Sequence, residues 1–306
     1  MTATIAPEAR IEKLNRASAR RVINPDTEVP GEVGPGQIVA DELLSVAGLD
    51  LDLTPEQRST LSREEIASIT DAGIRFEAVL TAGFALQIAT TPMSVTDPRI
   101  AYLLHEIGEE SRHSRLFARV NAQLDPQAKS PFGGRLVQFA MNRGVRRIIS
   151  LPSLLYTLVL AGEEIPDLIQ KRTAEHPDTD PFIREVNKYH RLEEARHLSF
   201  ARAVLPEIWA EASVVEKIAV RRVAPFVIRG MFETLVHPGV YAAVGLPAWE
   251  TWKAVNKTPQ RIALRKDAIR PVLQALLDAG VFRGGQVTKP WQHLCGVDAA
   301  GRPVAC

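Results

Sequence analysis

The 306-residue chain has only two cysteines, Cys295 and Cys306, and aromatic residues make up just 6% of it. The cysteines form no CxxC pair, so they build neither a disulfide framework nor a cysteine-rich zinc site, and a reducing cytoplasm is the expected location. Charge of one sign is also missing. The formal net charge is +1, whereas nucleic-acid binders carry a marked basic excess, so no nucleic-acid partner is expected. No apolar run approaches the roughly 18 residues of a membrane span, and no membrane association is expected. There is no β-hairpin signal and no Gly-rich phosphate loop. One stretch is locally basic, "ARIEKLNRASARRVINP". It lacks the apolar h-region of a secretory signal and reads as a surface helix.

What is present reads as helix. The composition, 45% hydrophobic and 24% charged, supplies a sizeable core. Residues 22–60, with "NPDTEVPGEVGPGQ", read as an extended arm. Ser62 with Glu65 makes a capping box for the helix that follows. Further helices start at Thr96 or Asp97 with Pro98, at Pro152, and at Asp180 with Pro181. Another covers about 213–236, and "TPQRIALRKDAIRPVLQALLDAGVF" is a last amphipathic one before an irregular tail. The expected architecture is all-α, one domain over 1–306. It has an N-terminal helix and arm (1–60), a four-helix core (61–210), and accessory helices with a tail (211–306).

Carboxylates and imidazoles fall where apolar residues belong. In "YHRLEEARHLSF", His190, Glu194 and His197 lie within roughly 60° of one another on a helical wheel. They share that arc with Ile183, Val186, Ala201 and Val204, so the stripe points at the core. Buried charges need partners or a metal. "EESRH" (109–113) repeats "EEARH" (193–197), and Glu110 shares a face with Leu103, Ile107, Ser114 and Phe117. The repeat selects Glu-x-x-His as the ligand pair: Glu110 with His113, and Glu194 with His197. Glu109 falls about 100° away from Glu110 and is expected to face water.

A helix with an inward glutamate precedes each pair. Glu77 sits among Gly73, Ile74, Leu80, Thr81 and Phe84; Glu163 shares a face with Tyr156, Val159 and Leu160, with Glu164 as its competitor. One Glu from each of two helices and Glu-x-x-His from each of the other two is the dimetal carboxylate pattern of a four-helix bundle. Four carboxylates offset the charge of two divalent ions, and iron and manganese both suit such donors. The competing arrangement is a set of buried ion pairs with Arg75, Arg112 and Arg196. His190 has no histidine counterpart, because the residue four before Glu110 is Glu106. On spacing alone His190 is either an extra ligand or a histidine bonding a ligand carboxylate.

The series Glu77, Glu110-x-x-His113, Glu163, His190-x3-Glu194-x2-His197 resembles the p-aminobenzoate N-oxygenase family of ferritin-like diiron proteins. The resemblance covers about residues 40–235. It implies a ferritin-like core, four glutamates and three histidines around two iron ions, His190 as a metal ligand, and Glu163 rather than Glu164. It further implies a peroxo-diferric oxygenation of an aromatic amine to the hydroxylamine, nitroso or nitro level, an external electron donor, and a homodimer. Three rivals share parts of the pattern. An acyl-carrier-protein desaturase or hydroxylase would dock on basic segments such as 142–148 and 219–229. A ribonucleotide-reductase-type radical subunit would need a tyrosine such as Tyr156 near the metals. A non-enzymic ferritin-like metal-binding protein would normally be shorter. The tail segment "PWQHLCGVD" reads as packing rather than chemistry.

Overall fold

Proline sets where the long helices begin. Its φ is fixed near the helical value, and it lacks the N–H that a first helical turn leaves unpaired. The computed structural model describes residues 7–304; Cys306 lies outside them. Helix α1 (Pro7–Arg20) is the basic N-terminal helix, and α2 (Pro25–Glu28) is one turn in the arm. Helices α3 (Pro55–Thr90) and α4 (Pro98–Leu124) pack together as one long pair. Helix α5 (Arg135–Ile149) precedes the second long pair, α6 (Pro152–Glu175) and α7 (Pro181–Glu211). The two pairs meet along α3–α6 and α4–α7, which makes the all-α, ferritin-like four-helix core.

Accessory helices flank that core: α8 (Val214–Ile218), a π-helical turn (Ala219–Val223), α9 (Ala224–Thr234), α10 (Pro238–Ala243), α11 (Ala248–Val255), α12 (Pro259–Asp278) and α13 (Lys289–Cys295). Among the described residues the sole β-pairing is an isolated bridge, Val297 with Pro303. The single helix expected over 213–236 is thus broken at a π-turn just before Pro225. In the tail, Trp291 and Cys295 are core residues, and Trp291 Nε1 donates to the Val220 carbonyl at 2.9 Å.

Two expectations need correction. The arm ends at Thr54, whose hydroxyl and Gln57 form the capping box that starts α3. Ser62 and Glu65 are interior residues instead. Ser62 Oγ accepts from the Ile38 N–H, and Glu65 accepts from the Ser45 N–H and hydroxyl, so both tie the arm down onto α3. Threonine followed by proline provides an earlier start than Ser62, and the helix takes it. Secondly, α3 contains an 18-residue window of mean hydropathy 1.2, long and apolar enough by itself to cross a membrane. In this fold that helix packs along α4 and turns Glu77 inward.

Candidate dimetal centre

The four core helices bring their carboxylates and imidazoles into one interior volume. Glu77 comes from α3, Glu110 and His113 from α4, Glu163 from α6, and His190, Glu194 and His197 from α7. All seven are buried, at most 4% exposed. Candidate ligand atoms of Glu77, His113 and His190 lie within 4.8 Å of one another, as do those of Glu110, His113 and Glu194. A third group of the same kind joins Glu110 and His197 to Glu106, which was not among the expected site residues. Glu163 belongs to none of the three groups; it is buried beside them with Oε1 lacking a hydrogen bond. Its neighbour Glu164 instead pairs with Arg202.

The hydrogen bonds sort the nitrogens of the two Glu-x-x-His motifs. His113 Nε2 is 3.0 Å from Glu193 Oε2, and His197 Nε2 is 2.8 Å from Glu109 Oε2. Each outer glutamate of one "EExRH" segment therefore holds the histidine of the other. This leaves both Nδ1 atoms turned inward: His113 Nδ1 lies 3.1 Å from Glu194 Oε1, and His197 Nδ1 lies 3.3 Å from Glu110 Oε1. His190 is arranged the other way round. Its Nδ1 is 2.9 Å from Gln170 Oε1, and Nε2 faces Glu77 and Glu194 at 3.4 Å each. The Gln170 carbonyl can only accept, so Nδ1 donates to it, and Nε2 is the nitrogen turned toward the two carboxylates.

One correction follows. Glu109 does not face water but is buried, as is Glu193, its counterpart in the second motif. Their charges are met by Arg196, whose Nη2 is 2.9 Å from Glu109 and 3.2 Å from Glu193, and Tyr189 donates to Glu193 at 2.8 Å. Arg112 also stops at Glu193, and Arg75 pairs with Asp71 at the surface. Arg196 and Arg112 thus neutralise the outer carboxylates, and none of these three arginines pairs with the inner four. Tyr156 donates to Gln87.

Protonation reflects that crowding. Burial pushes Glu77 and Glu163 up, and neighbouring carboxylates push the same way. Burial also acts to raise Glu194, but the imidazoles of His197 and His190 and hydrogen bonds from His113 and His197 hold it well below the usual range. Burial disfavours charge on His113 and His197, yet the surrounding carboxylates keep both well above ordinary imidazole. Several inner atoms nevertheless find no hydrogen bond: both oxygens of Glu110, Glu194 Oε1, Glu163 Oε1 and His113 Nδ1. Orphaned buried polar atoms are costly, and these are donors for a hard-to-borderline divalent ion. The residues fit a pair of such ions.

An apolar cavity of about 350 Å³ opens onto this cluster. Glu77, Glu163 and His190 line it together with apolar residues such as Phe76, Phe117 and Ile169. Gln138 and Met141 of α5 also reach it. A cavity of this size accommodates a small aromatic molecule.

Residues 5–280 match the family model described as P-aminobenzoate N-oxygenase AurF. The chain belongs to that family and is an oxidoreductase, with buried carboxylate and imidazole groups able to bind two metal ions. The uncharacterized proteins Rv0885 of Mycobacterium tuberculosis and Mb0909 of Mycobacterium bovis are each 27% identical over 236 residues, 74% of this chain and 68% of theirs. Among solved structures, a point mutant of an R2-like ligand-binding oxidase with an aerobically reconstituted Mn/Fe cofactor aligns at TM-score 0.45 and 15% identity, covering 87% of this chain and 92% of that one. A second mutant of such an oxidase, anaerobically reconstituted, aligns at TM-score 0.35 and 14% identity, covering 89% and 91%.

Proposed function

We propose that this protein is a non-haem diiron monooxygenase that uses O₂ to N-oxygenate an aromatic amine. The carrying observation is the mostly apolar cavity of about 350 Å³ whose lining includes Glu77, Glu163 and His190. Glu77, Glu110, His113, Glu163, His190, Glu194 and His197 would hold two iron ions, with manganese the alternative metal. Bound there, the metals supply the redox chemistry that activates O₂. The chain's own contribution is placement and dryness. Phe76, Phe117 and Ile169 line the cavity and would exclude bulk water and pack on an aromatic ring held there. Ser114 donates to Glu77 Oε2 at 2.5 Å and fixes that carboxylate in the cavity lining. Gln170 fixes the His190 ring beside it. Re-reduction requires an external electron donor; a cytoplasmic homodimer with no nucleic-acid or membrane partner completes the reading.

One observation favours a second reading, an acyl-carrier-protein desaturase or hydroxylase. Helix α5 lies at the cavity and carries Arg135, Arg143, Arg146 and Arg147 with no acidic residue. Its surface would suit an acidic carrier.

The two readings separate in one experiment. The protein is loaded anaerobically with iron, reduced, exposed to O₂, and mixed with a panel of arylamines and with acyl carriers. Mass spectrometry should find hydroxylamine, nitroso or nitro products from an arylamine. Oxidation of the acyl chain alone would overturn the N-oxygenase reading and install the second.

A further inference from the structure

Among the described residues, Glu106 is the one carboxylate in the three candidate metal-binding groups that the seven-residue set does not use. It lies on α4 one turn before Glu110 and is 1% exposed. Neither carboxylate oxygen has a hydrogen-bond partner. Outer glutamates of the same cluster are treated differently: Glu109 and Glu193 bind histidine, arginine or tyrosine. An interior carboxyl with nothing to bond is costly, so such a group calls for an occupant beside it. Its position says which. A ligand atom of Glu106 lies within 4.8 Å of those of Glu110 and His197, with all three side chains buried.

The two halves of the bundle are related by the same offset. His190 precedes Glu194 by one turn and joins the group with Glu77 and His113. Glu106 precedes Glu110 by one turn and joins the group at the other end, with His197. The residue that differs between the repeats is thus the same structural position, filled by nitrogen on one side and by oxygen on the other. We propose that Glu106 is an eighth ligand, binding the metal ion on the His197 side just as His190 binds the ion on the His113 side. The centre then has five carboxylates and three imidazoles, with one ion in a nitrogen-richer and the other in an oxygen-richer set. The oxygen-rich side suits a harder divalent ion. This rests on the dimetal ligand set proposed above.

Anaerobic titration of the full chain with Fe²⁺ or Mn²⁺ against a competing chelator tests it, with metal content read by mass spectrometry. Wild type should bind two ions. In Glu106→Gln and Glu106→Ala, one ion should weaken by more than about tenfold, since even substitutions outside the ligand shell reach that loss. The same variants, metal-free, should melt at or above the wild-type temperature, because an unpartnered buried carboxyl has been removed. A residue with only a structural role would not lower metal affinity while sparing the metal-free fold. Two ions bound with unchanged affinity in both variants would overturn the proposal and leave the seven-residue set standing. Fewer than two ions in wild type would instead bring down the dimetal set itself.

Discussion

His113 and Glu193 meet across the bundle at 3.0 Å, and His197 and Glu109 repeat the contact at 2.8 Å in the opposite direction. Each "EExRH" segment supplies an imidazole to the centre and a carboxylate that grips the other segment's imidazole. The grip fixes the ring orientation and the tautomer, and makes the inward nitrogen more basic. Arg196 touches both outer carboxylates, so one guanidinium couples the two contacts.

Glu109→Gln and Glu193→Gln should therefore weaken metal binding by about 10–100-fold each, although neither side chain faces the inner carboxylates. Chelator-competition titration of the two variants measures it. Affinities equal to wild type in both would show that the grips are ornamental to the centre.

Gln170 should matter in the same way to the third imidazole. Leucine in its place keeps the volume and removes the acceptor for His190 Nδ1. The freed ring can turn, and the proposed oxygenation should fall by about 10–100-fold. His190→Ala should lose more. Glutamate at 170 restores an acceptor and should recover most of the activity. A Gln170→Leu enzyme as active as wild type would detach His190 from the chemistry.

The inner stripe was legible because a helix period and a repeated motif agree: Glu110 and Glu194 fall among apolar neighbours twice over. Glu109 was misread because a wheel with one buried face is wrong for a helix packed on several sides. Helix α4 meets α3, α7 and α1, so a residue about 100° from the core direction still enters an interface. The role of Gln170 has no local signal, since it depends on the approach of α6 to α7. Helix α5, with no buried residue, follows a Pro- and Gly-bearing segment and was not expected at all.

Metal-free stability should fall as pH rises from about 5 toward 9. Burial raises Glu106 to about 8 and Glu65 to about 7, against an ordinary value of 4.5. Above 4.5 the unfolded chain has lost these protons while the folded chain retains them, so folding loses ground with rising pH. His113 and His197, both raised, act in the same direction: their contribution is whole below about 6.5 and is lost as pH climbs through their folded values. Glu109, brought down to about 2 when His197 and Arg196 outweigh its burial, works oppositely and only in acid, its stabilisation disappearing from 4.5 downward. Thermal melts across pH should peak on the acid side of neutrality, and metal loading should flatten the alkaline limb by replacing those protons. A metal-free melting temperature that rises from pH 5 to 9 would contradict the assigned shifts.

Gly162 sets how closely α6 approaches α3. A Cβ there would sit 1.7 Å from Phe76 Cζ, too close for any rotamer of that ring to remain in place. Both residues immediately precede a candidate ligand, Phe76 before Glu77 and Gly162 before Glu163. Gly162→Ala gains helix propensity, about 1 kcal/mol at most. Overpacking costs about 1–3 kcal/mol and forces the ring or the helix to move. The net expectation is a lower melting temperature together with weaker binding of both metals, because Glu77 and Glu163 are displaced together. Phe76→Leu removes the obstructing ring edge, so the double variant Phe76→Leu/Gly162→Ala should recover metal binding relative to Gly162→Ala alone. Additive losses in the double variant would mean that the two residues act separately, and that the close helix approach is not what places the two glutamates.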